Sequence, residues 1–264
     1  MHPRLLSTLL LVEPVIFGER AGGPNPALLS TIRRDVWNSR EQAEKSLRKG
    51  LSSWDERSLD KFLKYGLRAV PTKLHSPEHN AELPPSAVTL ATSKHQEAWA
   101  YSQINFGHHD SELDRLILPD WDPRIGLPYL AYRPECVVAM RNLPQVRPSV
   151  LYIFGATSPL SPPKYQEQKL NQTGTGLGGS GGAAEGRVEK IVLQRTGHLV
   201  LFEKIDACAE ASANWIHRWF HRWLADEEIL RNHKSEKSDD ANLRMTDAWI
   251  KAVKLPVDTL RGKL

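Results

Sequence analysis

Cysteine is scarce in this chain: two in 264 residues, Cys136 and Cys208, far apart. That excludes a disulfide framework, fits no metal-ligand or redox spacing, and suits a reducing compartment. No apolar run reaches the roughly 18 residues that a membrane-spanning helix needs. Neither sign of charge dominates: the net charge is +4, with Lys and Arg scattered among Asp and Glu. No concentrated basic face argues for nucleic acid. Metal-site spacing is lacking too. His75, His79, His95, His108 and His109 form no three-ligand arrangement, and His217 and His221, four apart on a helical stretch, lack an acidic third ligand. No cofactor is called for. The one formal dinucleotide fingerprint, Gly174-x-Gly176-x-x-Gly179, precedes a strand instead of following one.

What is present is an ordinary globular composition, 40% hydrophobic and 25% charged, enough for one large domain or two small ones. Its organising stretch is Arg187 to Glu203. Val188, Ile191, Val192 and Leu193 make a buried-strand run, Gly197 places His198 at the strand's exit, and a helix is expected from Lys204 to Leu224. An imidazole on the rim of a sheet is a general base or a surface turn residue. In the helix, Ile205, Ala209, Ile216 and Phe220 share a stripe, while Trp215, Trp219 and Trp223 recur every four residues as packing or interface residues.

Leu5 to Phe17 has a signal-like apolar core, but Glu13 and Pro14 interrupt it. It reads as a helix end, His2 to Leu6, then a buried strand, Thr8 to Val12, and a start in mid-helix looks like a cut. After a Gly/Pro loop, helical spacing covers Ala27 to Lys49, Trp54 to Ala69 (Ser53 as N-cap) and Ala87 to Phe106, with a short helix at Arg133 to Asn142. Residues 18–140 are therefore expected to form an all-helical insertion. The sheet resumes at Ser149 to Phe154, a helical turn follows at Lys164 to Leu170, and the glycine-rich Asn171 to Gly186 is expected to be a mobile loop. Beyond a charged break at Lys234 to Asp240 comes a last helix, Arg244 to Lys254.

Strand, helical insertion, strand, loop, strand, Gly-His, helix is the order found in the second half of an α/β-hydrolase. The stretch HPRLLSTLLLVEPVI resembles the helix after the nucleophile elbow and its next strand; RPSVLYIFGATSPLSPP and GHLVLFEK resemble the following strand and the catalytic-histidine segment. TGTGLGGSGGAAEGRV and LPQVRPSVLYIFG are similar to fungal peroxisomal hydrolases of host-selective toxin biosynthesis, and more distantly to the yeast peroxisomal lipase. The resemblance covers residues 1 to about 225. It implies an α/β fold, the C-terminal part of a hydrolase with three remaining strands and a large helical cap: core strand 1–17, cap 18–140, core 141–225, helical tail 226–264.

A hydrolase triad runs Ser, Asp or Glu, His. His198 matches the base. The usual acid position, after the strand ending at Phe154, holds Ser158, whose hydroxyl cannot supply the charge that stabilises an imidazolium. One strand earlier stands Glu13, as the acid or as a loop carboxylate capping the turn that follows. The one literal G-x-S-x-G, Gly178 to Gly182 around Ser180, has glycines before it and a strand after it, so it is no elbow. The resemblance puts the nucleophile and the oxyanion amides upstream of Met1. The expected function is hydrolysis of an ester or thioester of a fatty-acid-derived metabolite, with Trp54, Phe62, Trp99 and Phe106 lining an apolar acyl pocket. The alternative is a non-catalytic remnant that binds a ligand or partner. The ending Gly262-Lys263-Leu264 has the small-basic-Leu shape read by the peroxisomal import receptor, which favours peroxisome over cytoplasm.

Overall fold

The computed structural model describes residues 5–18, 26–76, 78, 82–101, 103–104, 116, 131–132, 134–235, 241 and 243–253. Its central layer is a parallel three-stranded sheet: β1 (Thr8–Val12), β7 (Ser149–Gly155) and β8 (Val188–Leu193), in the order β1-β7-β8. β7 lies in the middle and every one of its residues is buried, which is why its sequence is a continuous apolar run and not an alternation. Thr8 pairs with Ser149 and Val12 with Ile153. Val150 pairs with Val188 and Gly155 with Leu193. All three strands therefore end on the same edge, the edge where open parallel sheets place ligands.

Between β1 and β7 lie α1 (Pro26–Ile32), β2 (Val36–Trp37), α2 (Arg40–Gly50), α3 (Glu56–Tyr65), β3 (Leu67–Ala69), β4 (Val88–Leu90), α4 (Lys94–Tyr101), β5 (Gln103–Ile104), β6 (Ala131–Tyr132) and α5 (Pro134–Asn142). The region is not all helix. β2, β4 and β3 form an antiparallel sheet over a core of Trp37, Ala43, Leu67, Val88 and Leu90, and β5 pairs with β6. β2 splits the expected helix at Ala27 to Lys49, β3 ends the one at Trp54 to Ala69, and β4 and β5 both fall within the one at Ala87 to Phe106. Their two or three residues are too few to break a helical period in the sequence. The cap of α3 is Asp55 and not Ser53: the Asp55 carboxylate accepts from the Arg57 N–H. At the start of the chain, Leu5 and Leu6 are not helical, and the rest of that expected helix lies outside the described residues.

After β7 come α6 (Pro163–Gln172), a loop, β8, α7 (Val200–Glu203) and α8 (Ile205–Ser235). The glycine-rich loop is fastened, not loose. Gly174 N–H donates to Leu143 O at 2.9 Å, Gly176 to Pro144 O at 2.8 Å and Ser180 to Val146 O at 3.1 Å. Five of its glycines have positive φ, so they supply backbone shapes that other residues resist. On α8 the buried stripe is Cys208 and Trp215, then Trp219; Ala209, Ile216 and Phe220 are exposed. The contact side is offset by one position, set by Trp215, whose Nε1 donates to Thr8 Oγ1 at 2.7 Å. α8 also runs through Ser235, two residues into the expected break, and α9 covers Asp247–Val253. Two compact units are present, residues 1–215 and 216–264.

Candidate active site

β1 stops because Glu13 turns: its φ is +45°, and Pro14 follows, which cannot donate to a ladder. Its own N–H still donates to Ile153 O at 2.9 Å, so the residue is pinned to β7 while its side chain swings over the sheet edge. Glu13 is buried, 5% exposed. Oε1 accepts from the Gly155 N–H at 2.6 Å. Oε2 accepts from Ser158 Oγ at 2.7 Å and faces His198 Nδ1 at 2.9 Å.

The segment carrying His198 is held on both sides. Thr196 is fully buried, and its carbonyl accepts from the Thr157 N–H at 3.0 Å and the Thr157 hydroxyl at 2.9 Å. Gly197 N–H donates to Glu203 Oε2 at 2.9 Å, which ties the segment to α7. The exits of β7 and β8 are thus cross-linked, and the imidazole stands between them and the end of β1, its side chain 31% exposed.

A carboxylate accepting at Nδ1 holds the ring proton there and leaves the Nε2 lone pair outward. Among the described residues, no hydrogen bond to Nε2 is formed. Such a ring can take a proton from a hydroxyl or water, and the carboxylate stabilises the imidazolium that results. Ser158 plays a different part. Facing a carboxylate, which only accepts, its hydroxyl donates, and it accepts in turn from the Leu160 N–H at 3.3 Å. Ser180 is far from this chemistry in the topology. It bonds to Val146, ahead of β7, and precedes β8, whose other end leads to His198. The six residues of β8, at about 3.3 Å each, separate the two ends of the sheet.

The expected lining residues are divided by the structure. Trp54 packs on Phe62, ring centres 5.5 Å apart, and stacks on Phe202 at 4.5 Å. The Asp55 N–H donates to Phe202 O at 2.8 Å, and Arg57 binds Asp206 through two 2.9 Å hydrogen bonds. These contacts bring Trp54, and Phe62 behind it, to Phe202 of α7, four residues beyond His198. Trp99 stands elsewhere, 66% exposed, 6.4 Å from the His95 ring in a shallow groove with Arg68 and Gln96. Phe106, His79, His108, His109 and Gly262-Lys263-Leu264 lie outside the described residues. His217 and His221 meet edge to face, rings 4.4 Å apart. Among the described residues no group of three potential metal-ligating side chains occurs, and no helix is long and apolar enough to cross a membrane.

Phe202, Glu203, Thr157 and Thr196 escaped the sequence. The only signal that could have found Phe202 and Glu203 is their position, i+4 and i+5 from His198; the two threonines carried no signal.

No family model matches the chain. Among known proteins it is 33% identical over 282 aligned residues to the Type I acyl-CoA thioesterase mpaH of Penicillium roqueforti, an alignment covering 100% of this chain and 64% of that protein. It is 29% identical over 218 residues to the abhydrolase domain-containing protein ACTT2-1 of Alternaria alternata, covering 81% of this chain and 75% of that one. Among solved structures, the peroxisomal α/β-hydrolase Lpx1 of Saccharomyces cerevisiae superposes with a TM-score of 0.50 at 17% identity, over 90% of this chain and 58% of its own. The chain thus spans slightly less than two thirds of the length of the thioesterase relative.

Proposed function

We propose, for a chain that belongs to the α/β-hydrolase superfamily, that His198 and Glu13 are the base and acid of a serine-type hydrolase cleaving an ester or thioester of a fatty-acid-derived metabolite. One observation carries the assignment: a buried carboxylate 2.9 Å from Nδ1, at the edge where three parallel strands end. The similarity to an acyl-CoA thioesterase and to abhydrolase-domain proteins of filamentous fungi supports the acyl class and a place in secondary metabolism.

In this reading a serine Oγ attacks the acyl carbonyl and passes its proton to His198 Nε2. The imidazolium, steadied by Glu13, returns that proton to the departing thiolate or alkoxide. Water then repeats the sequence on the acyl-enzyme and releases the acid. The nucleophile and the oxyanion amides come from outside the described residues; Ser180 and Ser158 are not the nucleophile. Residues 18–140 act as the cap, with Trp54 and Phe62, beside Phe202, forming its apolar wall. The Gly262-Lys263-Leu264 ending directs import into the peroxisome.

The test is turnover of p-nitrophenyl and acyl-CoA substrates by the natural gene product, with fluorophosphonate labelling to locate the reactive serine. His198→Ala and Glu13→Gln are each expected to lower turnover by roughly three to four powers of ten. Turnover unchanged in both variants, or label on Ser180, would overturn the assignment.

A further inference from the structure

Lys169 is the buried charge that the acid–base pair leaves unused. It lies on the sheet-facing side of α6 with Gln166, just ahead of Thr173, and is 1% exposed. Its ammonium sits 5.7 Å from the centre of the Phe154 ring. A lysine so placed is costly, because an ammonium taken out of water loses hydration that a ring face only partly replaces.

The register shows what stands beside it. Beyond the Val12–Ile153 pair, the Glu13 N–H donates to Ile153 O at 2.9 Å and its carboxylate takes the Gly155 N–H at 2.6 Å. These two bonds flank Phe154, whose ring the Lys169 ammonium meets, so Lys169 and Glu13 are gathered at the same strand end. Among the described residues, the Glu13 carboxylate has the Gly155 N–H, the Ser158 hydroxyl and the His198 ring as hydrogen-bond donors. While the imidazole is neutral these are dipoles, and they leave a buried negative charge without a formal counterpart.

We propose that Lys169 is the buried countercharge of Glu13, a positioning residue that attracts and holds the carboxylate beneath His198 from the Phe154 face of the sheet. With Lys169 protonated, this buried group sums to zero charge when the imidazole is neutral. The lysine's own titration agrees: burial pushes it down to about 8, and the Glu13 carboxylate works against that fall. Two other ionisable groups on the neighbouring elements have partners of their own. Tyr152 on β7 is hydrogen-bonded to Thr173, and burial raises its pKa. Glu167 on α6 is paired with Lys190 on β8.

This rests on Glu13 and His198 being the acid and base, so its test requires no turnover. Lysine side chains of the isotope-labelled chain are titrated by NMR in wild type, E13Q and E167Q. The Lys169 midpoint is expected near 8 in wild type. It should fall by about one pH unit in E13Q and stay in place in E167Q. A wild-type midpoint at the ordinary lysine value, or one that E13Q leaves unmoved, would overturn the proposal. A double-mutant cycle of unfolding free energies, E13Q against K169M, gives a second readout. Coupling should be present at pH 7 and gone near pH 10, where the lysine is neutral. A lysine that merely fills space shows no coupling at either pH. Should the acid–base assignment fail instead, E13Q would leave turnover intact while the coupling with Lys169 persisted.

Discussion

Gly155 carries no side chain because a carbonyl occupies the place where one would go: a Cβ there would lie 2.0 Å from Gly197 O and 2.5 Å from Thr196 O. The close approach lets the Gly155 N–H reach Glu13 while the His198 segment rests on the end of β7. Gly155→Ala should force these segments apart. A loss of about 1–3 kcal/mol in stability is expected from the overpacking, with a matching fall in turnover, read by thermal melting and ester hydrolysis. Ser158 allows the opposite experiment. Its Oγ is 2.7 Å from the same Glu13 oxygen that faces Nδ1, so a carboxylate at 158 can reach the ring. E13Q combined with Ser158→Asp should recover part of the turnover lost in E13Q alone, whereas Ser158→Ala should change turnover only several-fold. Glu13 was visible in the sequence as a carboxylate ending an apolar strand, and His198 as the residue after Gly197. Lys169 was not, because PKYQEQKLNQ reads as a polar helix and nothing in its spacing singles out the residue that turns inward.

At the scale of elements, composition misled where short strands and glycines were concerned. The runs Val36–Trp37 and Leu67–Ala69 continue the apolar spacing of neighbouring helices, so only their pairing with β4 identifies them as strands. Glycine richness at 171–186 suggested freedom, yet the loop is pinned to the segment preceding β7. Two substitutions separate the possibilities. A Cβ on Gly179 would lie 2.4 Å from Gly174 O and 2.5 Å from Pro144 O, both backbone atoms. At Gly178 the space is open, and only its φ of +78° resists a side chain. Gly178→Ala should therefore cost about 1–2 kcal/mol through backbone conformation alone, and Gly179→Ala measurably more in the same denaturant titrations. A loop without fixed contacts would accept both equally. Ser180→Ala removes one long 3.3 Å hydrogen bond from the Gly182 N–H, and it should leave turnover unchanged.

For the whole molecule, the parallel sheet could be read in advance because SVLYIF is apolar without alternation, as a strand covered on both faces must be. What the pattern could not show is the charge buried inside, and that charge sets how stability responds to pH. Lys169 titrates near 8 in the folded chain against 10.5 ordinarily. Below pH 8 it is protonated in both states, and the folded chain bears the full cost of the buried ammonium. Between 8 and 10.5 the unfolded chain holds the proton and the folded chain does not, so stability rises with pH. Above that window both forms are neutral and the cost is gone. The recovered stability is about 3 kcal/mol at 1.36 kcal/mol per pH unit. Cys208 and Tyr152 act in the opposite direction at alkaline pH, since burial raises both and their unfolded forms lose protons first. The quantity to measure is therefore the difference between wild type and K169M in urea unfolding from pH 7 to 10. The wild-type curve should gain on the variant steadily above pH 8, and two parallel curves would show that the lysine folds without a displaced titration.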